Sequence, residues 1–177
     1  MKPKVILLIY GSGGHKAQME KLLTGINKEF GNVSFIGISE SEASIIHPSI
    51  VETFEQPPFR NKYFSFMNLF SIPRKYYNFI SCFSKINKNY KVLSVISTGP
   101  GLAIPFSILF KLKKTKIVFI ETWSRFETQS YAGKVMYRIA DKFYIQNRSL
   151  FKFYPKAIYS GLLWKFWLLS GQLGLTL

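Results

Sequence analysis

The stretch Lys4–Gln18, KVILLIYGSGGHKAQ, is an apolar run followed by a glycine turn and the start of a helix. Val5 to Ile9 are all apolar, which is typical of a strand buried on both faces of a parallel sheet. The glycines of GSGGH allow a sharp turn and the close approach of a ligand to the backbone. The N–H groups at the start of the following helix favour an anion such as a phosphate. GSGGH alone is therefore consistent with an anion-binding turn or with an ordinary strand-to-helix turn.

The same turn does not match two common nucleotide motifs. The dinucleotide fingerprint G-x-G-x-x-G is not completed after Gly13, and the Lys-Ser or Lys-Thr pair of a P-loop does not follow. His15 lies at the mouth of the turn, beside whatever is bound there. Because an imidazole can accept a proton near neutral pH, we interpret His15 as a candidate base.

The composition indicates one folded domain. The chain has 177 residues, of which 47% are hydrophobic, which is enough to bury a core. Its single cysteine, Cys82, excludes an internal disulfide and a zinc site built from cysteines, as is typical of a reducing cytoplasm. The first residues contain no apolar run that suits a signal peptide or a spanning helix. We expect no metal and no cofactor.

The net charge of +15 is concentrated in the later part of the chain. Residues 1–60 contain six basic and six acidic residues, which cancel. Residues 61–177 contain eighteen basic residues and only three acidic ones, Glu121, Glu127 and Asp141. A positive electrostatic field attracts polyanions, so the candidate binding partners are nucleic acid, an anionic membrane surface and phosphorylated substrates.

The apolar periodicity predicts alternating strands and helices. Strands are expected at 5–9, 33–38, 50–54, 92–96, 116–120, 142–145 and 157–159. Helices are expected at 14–30, just after 39–42, and at 73–89, 102–111 and 131–140, with Pro73 placed to start the third of them. This alternation predicts an α/β protein with a Rossmann-like open parallel sheet and helices on both faces.

Three predicted strands end in residues suited to a site. GSGGH follows the first strand, STGPG follows the fourth, and Glu121-Thr122 follows the fifth. Ligands of open α/β sheets bind beyond the carboxyl ends of the strands, so these segments are expected to converge.

Residues 59–91 differ from the rest, with ten aromatic residues, seven basic residues and no acidic residue. Much of this stretch fits an ordinary crossover helix, but the aromatic residues of 59–72 point in too many directions for one buried face. Aromatic rings beside Lys and Arg are typical of an interfacial membrane segment. The expected membrane contacts are Tyr63, Phe64, Phe66, Phe70, Arg74 and Lys75. The apolar tail, residues 164–177, should be covered by lipid, by a partner or by the core.

Longer blocks of the sequence resemble a known family. GSGGH, STGPG, FIETWSRFETQSYAGKVMYRIADKFYIQNRSL and YPKAIYSG occur in the order found in the Alg-fourteen-like family, whose bacterial members include the PssD and CpsF proteins. These are acceptor-side, membrane-anchoring subunits of two-chain glycosyltransferases. The resemblance covers about residues 4–163, and the pattern is also similar to the N-terminal half of MurG.

The resemblance implies a fold, partners and a location. Residues 1–163 would form a single acceptor-side domain equivalent to the N-terminal half of a GT-B enzyme, with 59–91 as a basic aromatic insertion facing the membrane. An Alg-thirteen-like chain of the PssE or CpsG type would bind the UDP-sugar. The acceptor would be a polyprenyl-diphosphate-linked sugar used for exopolysaccharide, capsule or O-antigen synthesis. The chain would lie peripherally on the cytoplasmic face of the cell membrane and have little or no activity alone.

The resemblance also implies roles for residues. His15 would be the base on the acceptor hydroxyl, and Glu121 would line the cleft towards the donor, although a strand-end carboxylate paired with Arg125 is an equal alternative. The residues expected to cradle the acceptor diphosphate are Gly11, Ser12, Gly13, Gly14, Thr98, Gly99 and Gly101.

Two other classes remain open from the residues themselves. A NAD(P)-dependent Rossmann oxidoreductase would need an acidic residue at the end of the second strand, which Glu40 or Glu42 could supply. A nucleic-acid-binding module is suggested by the charge and the aromatic residues. Those aromatic residues lie in apolar runs, which suits lipid better than bases.

Overall fold

The computed structural model describes residues 1–30, 34–40, 43–57 and 67–161 of the chain. Its strands are β1 (Lys4–Tyr10), β2 (Phe35–Glu40), β3 (Ile50–Gln56), β4 (Lys91–Ser97), β5 (Lys116–Ile120), β6 (Lys142–Ile145) and β7 (Ile158–Tyr159). Its helices are α1 (Gly14–Phe30), α2 (Met67–Asn89), α3 (Ala103–Leu112) and α4 (Tyr131–Ile139), followed by a short 3-10 helix, Arg148–Lys152.

The strands form one sheet in the order β3-β2-β1-β4-β5-β6-β7, and every neighbouring pair is parallel. Leu7 of β1 lies opposite Ile36 of β2 on one side and Val95 of β4 on the other. The direction of winding therefore reverses between β1 and β4, and ligands of this fold bind beside that reversal. The predicted Rossmann-like parallel sheet is confirmed.

Helices cover both faces of the sheet, as predicted. On one face, Ile6, Leu8 and Tyr10 of β1 belong to a buried cluster with α1 side chains such as Met19. On the other face, Val5, Leu7 and Ile9 belong to a cluster with side chains of α2, α3 and α4, among them Phe106. Because both faces of β1 are covered, its side chains are buried at successive positions rather than at alternate ones. Each fully buried Leu or Ile contributes about 1.5–3 kcal/mol to the free energy of unfolding.

Two predicted helix positions were wrong. Helix α2 begins at Met67, ahead of Pro73, so this proline lies within the helix rather than at its start. The described residues 43–47 form no helix after β2. There the Ala43 N–H donates to the Glu40 carbonyl, and the Ile45 N–H donates to the Tyr10 hydroxyl at 3.2 Å. Because these N–H groups already donate to a turn carbonyl and to a side-chain hydroxyl, they do not form the hydrogen bonds of a helix.

The predicted membrane contacts fall outside what the structure describes. Residues 58–66, which include Tyr63, Phe64 and Phe66, and the tail from residue 162 onward lie outside the described ranges. The side chains of Phe70, Arg74 and Lys75 also lie outside the description. Among the residues described, no helix combines the length and the apolar character needed to cross a bilayer.

Candidate functional site

The turns that follow β1 and β4 touch each other at the carboxyl edge of the sheet. The Thr98 N–H donates to the Ile9 carbonyl at 3.3 Å, which joins the start of the second turn to the end of β1. A Cβ built on Gly11 would lie 3.2 Å from Cβ of Pro100. The predicted convergence of GSGGH and STGPG is therefore present in the structure, at the reversal between β1 and β4.

His15 is held by two hydrogen bonds to Thr98. Its Nδ1 lies 2.5 Å from the Thr98 carbonyl oxygen, and the Thr98 hydroxyl donates to the His15 carbonyl at 3.0 Å. A carbonyl oxygen can only accept, so Nδ1 must carry the proton in this contact. In the neutral imidazole, Nε2 is then the acceptor nitrogen. This is the tautomer that a general base requires.

Gly99 makes room for that imidazole. Its φ of +108° lies in the region that favours glycine, and a Cβ there would approach His15 Cε1 to 2.9 Å and Nδ1 to 3.3 Å. The contacts of Gly99 and Thr98 are thus with His15, and both residues are buried. Of the residues predicted from the second turn, Gly101 is the exposed one, and a Cβ on it would meet nothing within 4 Å.

The first turn presents an open helix start. Ser12, Gly13 and Gly14 are exposed, and Gly13 has a φ of +60°. The Ala17 N–H donates to the Gly13 carbonyl, which begins α1. The N–H groups just ahead of Ala17 therefore have no acceptor within the helix. Such a helix start attracts anions through these N–H groups and through the helix dipole.

Trp123 borders the same helix start, a contact that the sequence analysis did not predict. Its indole Nε1 would lie 3.6 Å from a Cβ built on Gly14. The Lys21 ammonium lies 4.8 Å from the centre of the Trp123 ring, within the range of a cation–π contact. This pair adds an aromatic surface and a positive charge beside α1.

Glu121 directly follows β5, as the sequence analysis expected. Its side chain is fully buried, so it does not line an open cleft. Oε1 accepts from the Thr122 N–H at 3.1 Å, while Oε2 accepts from the Ser130 hydroxyl at 3.1 Å and from the Tyr154 hydroxyl at 2.7 Å. The buried charge is thus compensated by three donors and by the start of α4. Burial, followed by the hydrogen bond to Glu121, raises the pKa of Tyr154.

The alternative pairing with Arg125 is also absent among the described residues. The Arg125 guanidinium donates instead to the Thr128 hydroxyl at 2.9 Å. The Glu121 carbonyl accepts from the amide of Gln18 in α1 at 3.4 Å and from the amide of Gln146 after β6 at 3.0 Å. Glu121 therefore connects α1, β6 and α4 to the end of β5. These hydrogen bonds are structural, since they join elements of the fold.

Glu40 is an acidic residue that lies beside the first turn. It is the last residue of β2, and its Oε2 would lie 3.0 Å from a Cβ built on Gly11. In the sequence analysis, only the hypothesis of a dinucleotide-binding oxidoreductase singled out Glu40. Within the ranges described, no three His, Cys, Asp or Glu side chains are grouped so that they could hold a metal ion.

Solved structures with the same architecture include sugar-nucleotide enzymes. The chain superposes on MurG of Acinetobacter baumannii with a TM-score of 0.55 at 10% identity, covering 81% of this chain and 41% of that one. A putative UDP-N-acetylglucosamine 2-epimerase of Listeria monocytogenes gives a TM-score of 0.59 at 9% identity over 86% of this chain and 41% of that one. The chain therefore spans about two fifths of these enzymes. Its fold and paired glycine turns define a Rossmann-like half of the GT-B architecture.

The sequence comparisons identify the family. The family described as "Oligosaccharide biosynthesis protein Alg14 like" matches residues 6–163, and the chain belongs to it. A human relative, UDP-N-acetylglucosamine transferase subunit ALG14, is 26% identical over 177 residues, covering 88% of this chain and 81% of its own length. The Schizosaccharomyces pombe protein of the same name is 26% identical over 181 residues, covering 90% of this chain and 83% of its own length.

Proposed function

We propose that this chain is the acceptor-binding subunit of a two-chain glycosyltransferase. The carboxyl edge between β1 and β4 binds the diphosphate of a polyprenyl-diphosphate-linked sugar, and a second chain supplies the UDP-sugar. The observation that carries the proposal is the contact of the two glycine turns at the winding reversal, with His15 held by Thr98 beside an open helix start. Family membership and the curated relatives, which are transferase subunits, support it.

The residues divide the chemistry between binding and proton transfer. The N–H groups at Ser12, Gly13 and Gly14, with the exposed Gly101 of the second turn, cradle the diphosphate. His15 Nε2 takes the proton of the acceptor hydroxyl while that oxygen forms a bond to the anomeric carbon of the donor. The bond from that carbon to UDP breaks, and UDP leaves with the electron pair. Direct displacement of this kind inverts the anomeric configuration.

We propose a separate donor-binding chain, an Alg-thirteen-like partner of the PssE or CpsG type. The curated relatives support it, because they are named as subunits of a UDP-N-acetylglucosamine transferase. UDP-N-acetylglucosamine is the proposed donor, because the relatives carry that name.

The proposed setting is polysaccharide synthesis at the cytoplasmic face of the membrane. Exopolysaccharide, capsule and O-antigen are the candidate products. The basic aromatic segment of residues 59–91 is the proposed membrane contact.

The first test is transfer of labelled sugar from a panel of UDP-sugars, including UDP-N-acetylglucosamine, to a polyprenyl-diphosphate glycolipid. This chain, the candidate partner and the mixture are assayed separately. Activity that arises only in the mixture supports a split enzyme. Full activity of the partner alone, or no transfer from any UDP-sugar, contradicts the proposal, and activity of this chain alone would place the donor site on this chain.

A dinucleotide-binding alternative has one observation in its favour. Glu40 lies at the end of β2 beside the glycine turn, where an acidic residue holds the ribose hydroxyls in dinucleotide-binding Rossmann domains. The incomplete fingerprint after Gly13 counts against it. Titration with NAD and NADP decides the matter, because the glycosyltransferase proposal predicts no saturable binding of either.

A further inference from the structure

The Glu40 carboxylate has an unusual position for an acidic group. It lies against the Gly11 backbone, within the turn that would receive a phosphorylated ligand, and its residue is half-buried. The Glu40 carbonyl accepts from the Ala43 N–H at 3.0 Å, which fixes the backbone at the end of β2. The side chain is thus held at the edge of the proposed acceptor site.

Within the described residues, no donor reaches this carboxylate. Two other described carboxylates that are not exposed, those of Glu52 and Glu121, have partners. Glu52 accepts from Lys85 at 3.0 Å and from Tyr90 at 2.9 Å, and Glu121 has its three donors. A partly buried carboxylate without a donor costs free energy, which a ligand that brings a donor would recover.

The chemistry restricts what that ligand group is. An ionised carboxylate only accepts hydrogen bonds, so it repels a phosphate oxygen and attracts a hydroxyl or a cation. The described residues offer no cluster of ligands for a metal ion. A sugar hydroxyl is the donor that a glycolipid acceptor would bring to this place.

We propose that Glu40 accepts a hydrogen bond from a hydroxyl of the acceptor's sugar residue. The sugar then lies towards β2 and the diphosphate towards the start of α1, because the carboxylate keeps the phosphates away from Gly11. This assignment rests on the proposed function. It deepens that function by making Glu40 the residue that distinguishes a sugar-bearing diphosphate from a bare one.

The test compares two lipids of equal charge. One is farnesyl diphosphate carrying N-acetylglucosamine, and the other is the farnesyl methyl diphosphate diester, which has no sugar. Binding of each to the full-length chain and to Glu40→Gln is measured by titration in detergent. The variant is expected to bind the sugar-bearing lipid about five- to tenfold more weakly, since a hydrogen bond to a charged group is lost. It should bind the methyl diester equally well or up to about threefold more tightly, because a repelling charge is removed.

Glu55→Gln is the matched control. It removes the same charge from an exposed residue near the end of the adjacent strand, where Glu55 lies opposite Ser39. It should leave the preference between the two lipids unchanged, and thermal unfolding checks that both variants fold.

If Glu40→Gln weakens the binding of both lipids equally, or of neither, the assignment of Glu40 is wrong. If the wild-type chain binds neither lipid, the proposed function itself fails. Saturable NAD binding that Glu40→Gln abolishes would overturn the sugar assignment in favour of a ribose.

Discussion

At the scale of single residues, the candidate site depends on which ring nitrogen of His15 carries the proton. The contact of Nδ1 with the Thr98 carbonyl, at 2.5 Å, leaves Nε2 to accept a proton. Gly99 permits this arrangement, because any side chain at that position would press on the imidazole. Thr98 and Gly99 thus fix the orientation of the proposed base, His15.

His15→Ala is expected to lower kcat for sugar transfer by about 10²–10⁴, the usual contribution of a positioned base. Binding of the acceptor lipid should change much less, since the backbone N–H groups remain. The measurement is steady-state transfer by the complex of this chain with its partner. His47→Ala is the matched control, because His47 accepts from the Ser49 N–H at 3.3 Å in the loop before β3. Equal loss in both variants would contradict the assignment of His15.

At the scale of elements, the start of α4 is fitted around the Glu121 carboxylate. The Ser130 hydroxyl accepts from the Gly133 N–H at 2.7 Å, which caps the helix, and donates to Glu121. A Cβ on Gly133 would lie 1.9 Å from Glu121 Oε2 and 2.4 Å from the Tyr154 hydroxyl. The glycine therefore allows the helix to approach the buried charge.

Gly133→Ala is expected to lower the free energy of unfolding by about 3 kcal/mol or more, because breaking a buried, hydrogen-bonded charge is costly. Urea denaturation measures the change. Gly25→Ala in α1 is the matched control, since a Cβ there would meet nothing within 4 Å. That control should raise the free energy of unfolding by about 0.5–1 kcal/mol, as expected for replacing glycine within a helix. A neutral effect of Gly133→Ala would show that the carboxylate can move away at no cost.

At the scale of the whole molecule, the core between the sheet and helices α2 to α4 contains a buried thiol. Cys82 is 6% exposed, and burial raises the pKa of its thiol to about 12. Burial also raises the pKa values of Tyr10 and Tyr144 on the opposite face. These groups keep their protons in the folded state at pH values where the unfolded chain loses them.

The free energy of unfolding is therefore expected to fall with rising pH above about pH 9, where an unfolded thiol begins to ionise. The sign follows because the unfolded state then binds fewer protons than the folded state. Each such group contributes a slope of about 1.4 kcal/mol per pH unit between its unfolded and folded pKa values. Urea denaturation at several pH values from 8 to 11 measures the slope. Cys82→Ala should be less stable at pH 8 but lose less stability over this range, and an unchanged slope would contradict the role of the thiol.

The sequence by itself determined the order of the strands along the chain and the positions of the glycine turns. Both depend on local features, namely apolar periodicity and the conformational freedom of glycine. The sequence also placed GSGGH and STGPG at one edge, since parallel strands bring their carboxyl ends together. Only the tertiary structure decided that the Glu121 carboxylate is buried and hydrogen-bonded, because its donor Tyr154 lies 33 residues away in the sequence. The same holds for Glu40, whose carboxylate lies beside Gly11 with no donor among the described residues. These features depend on contacts between elements, which no local pattern of residues specifies.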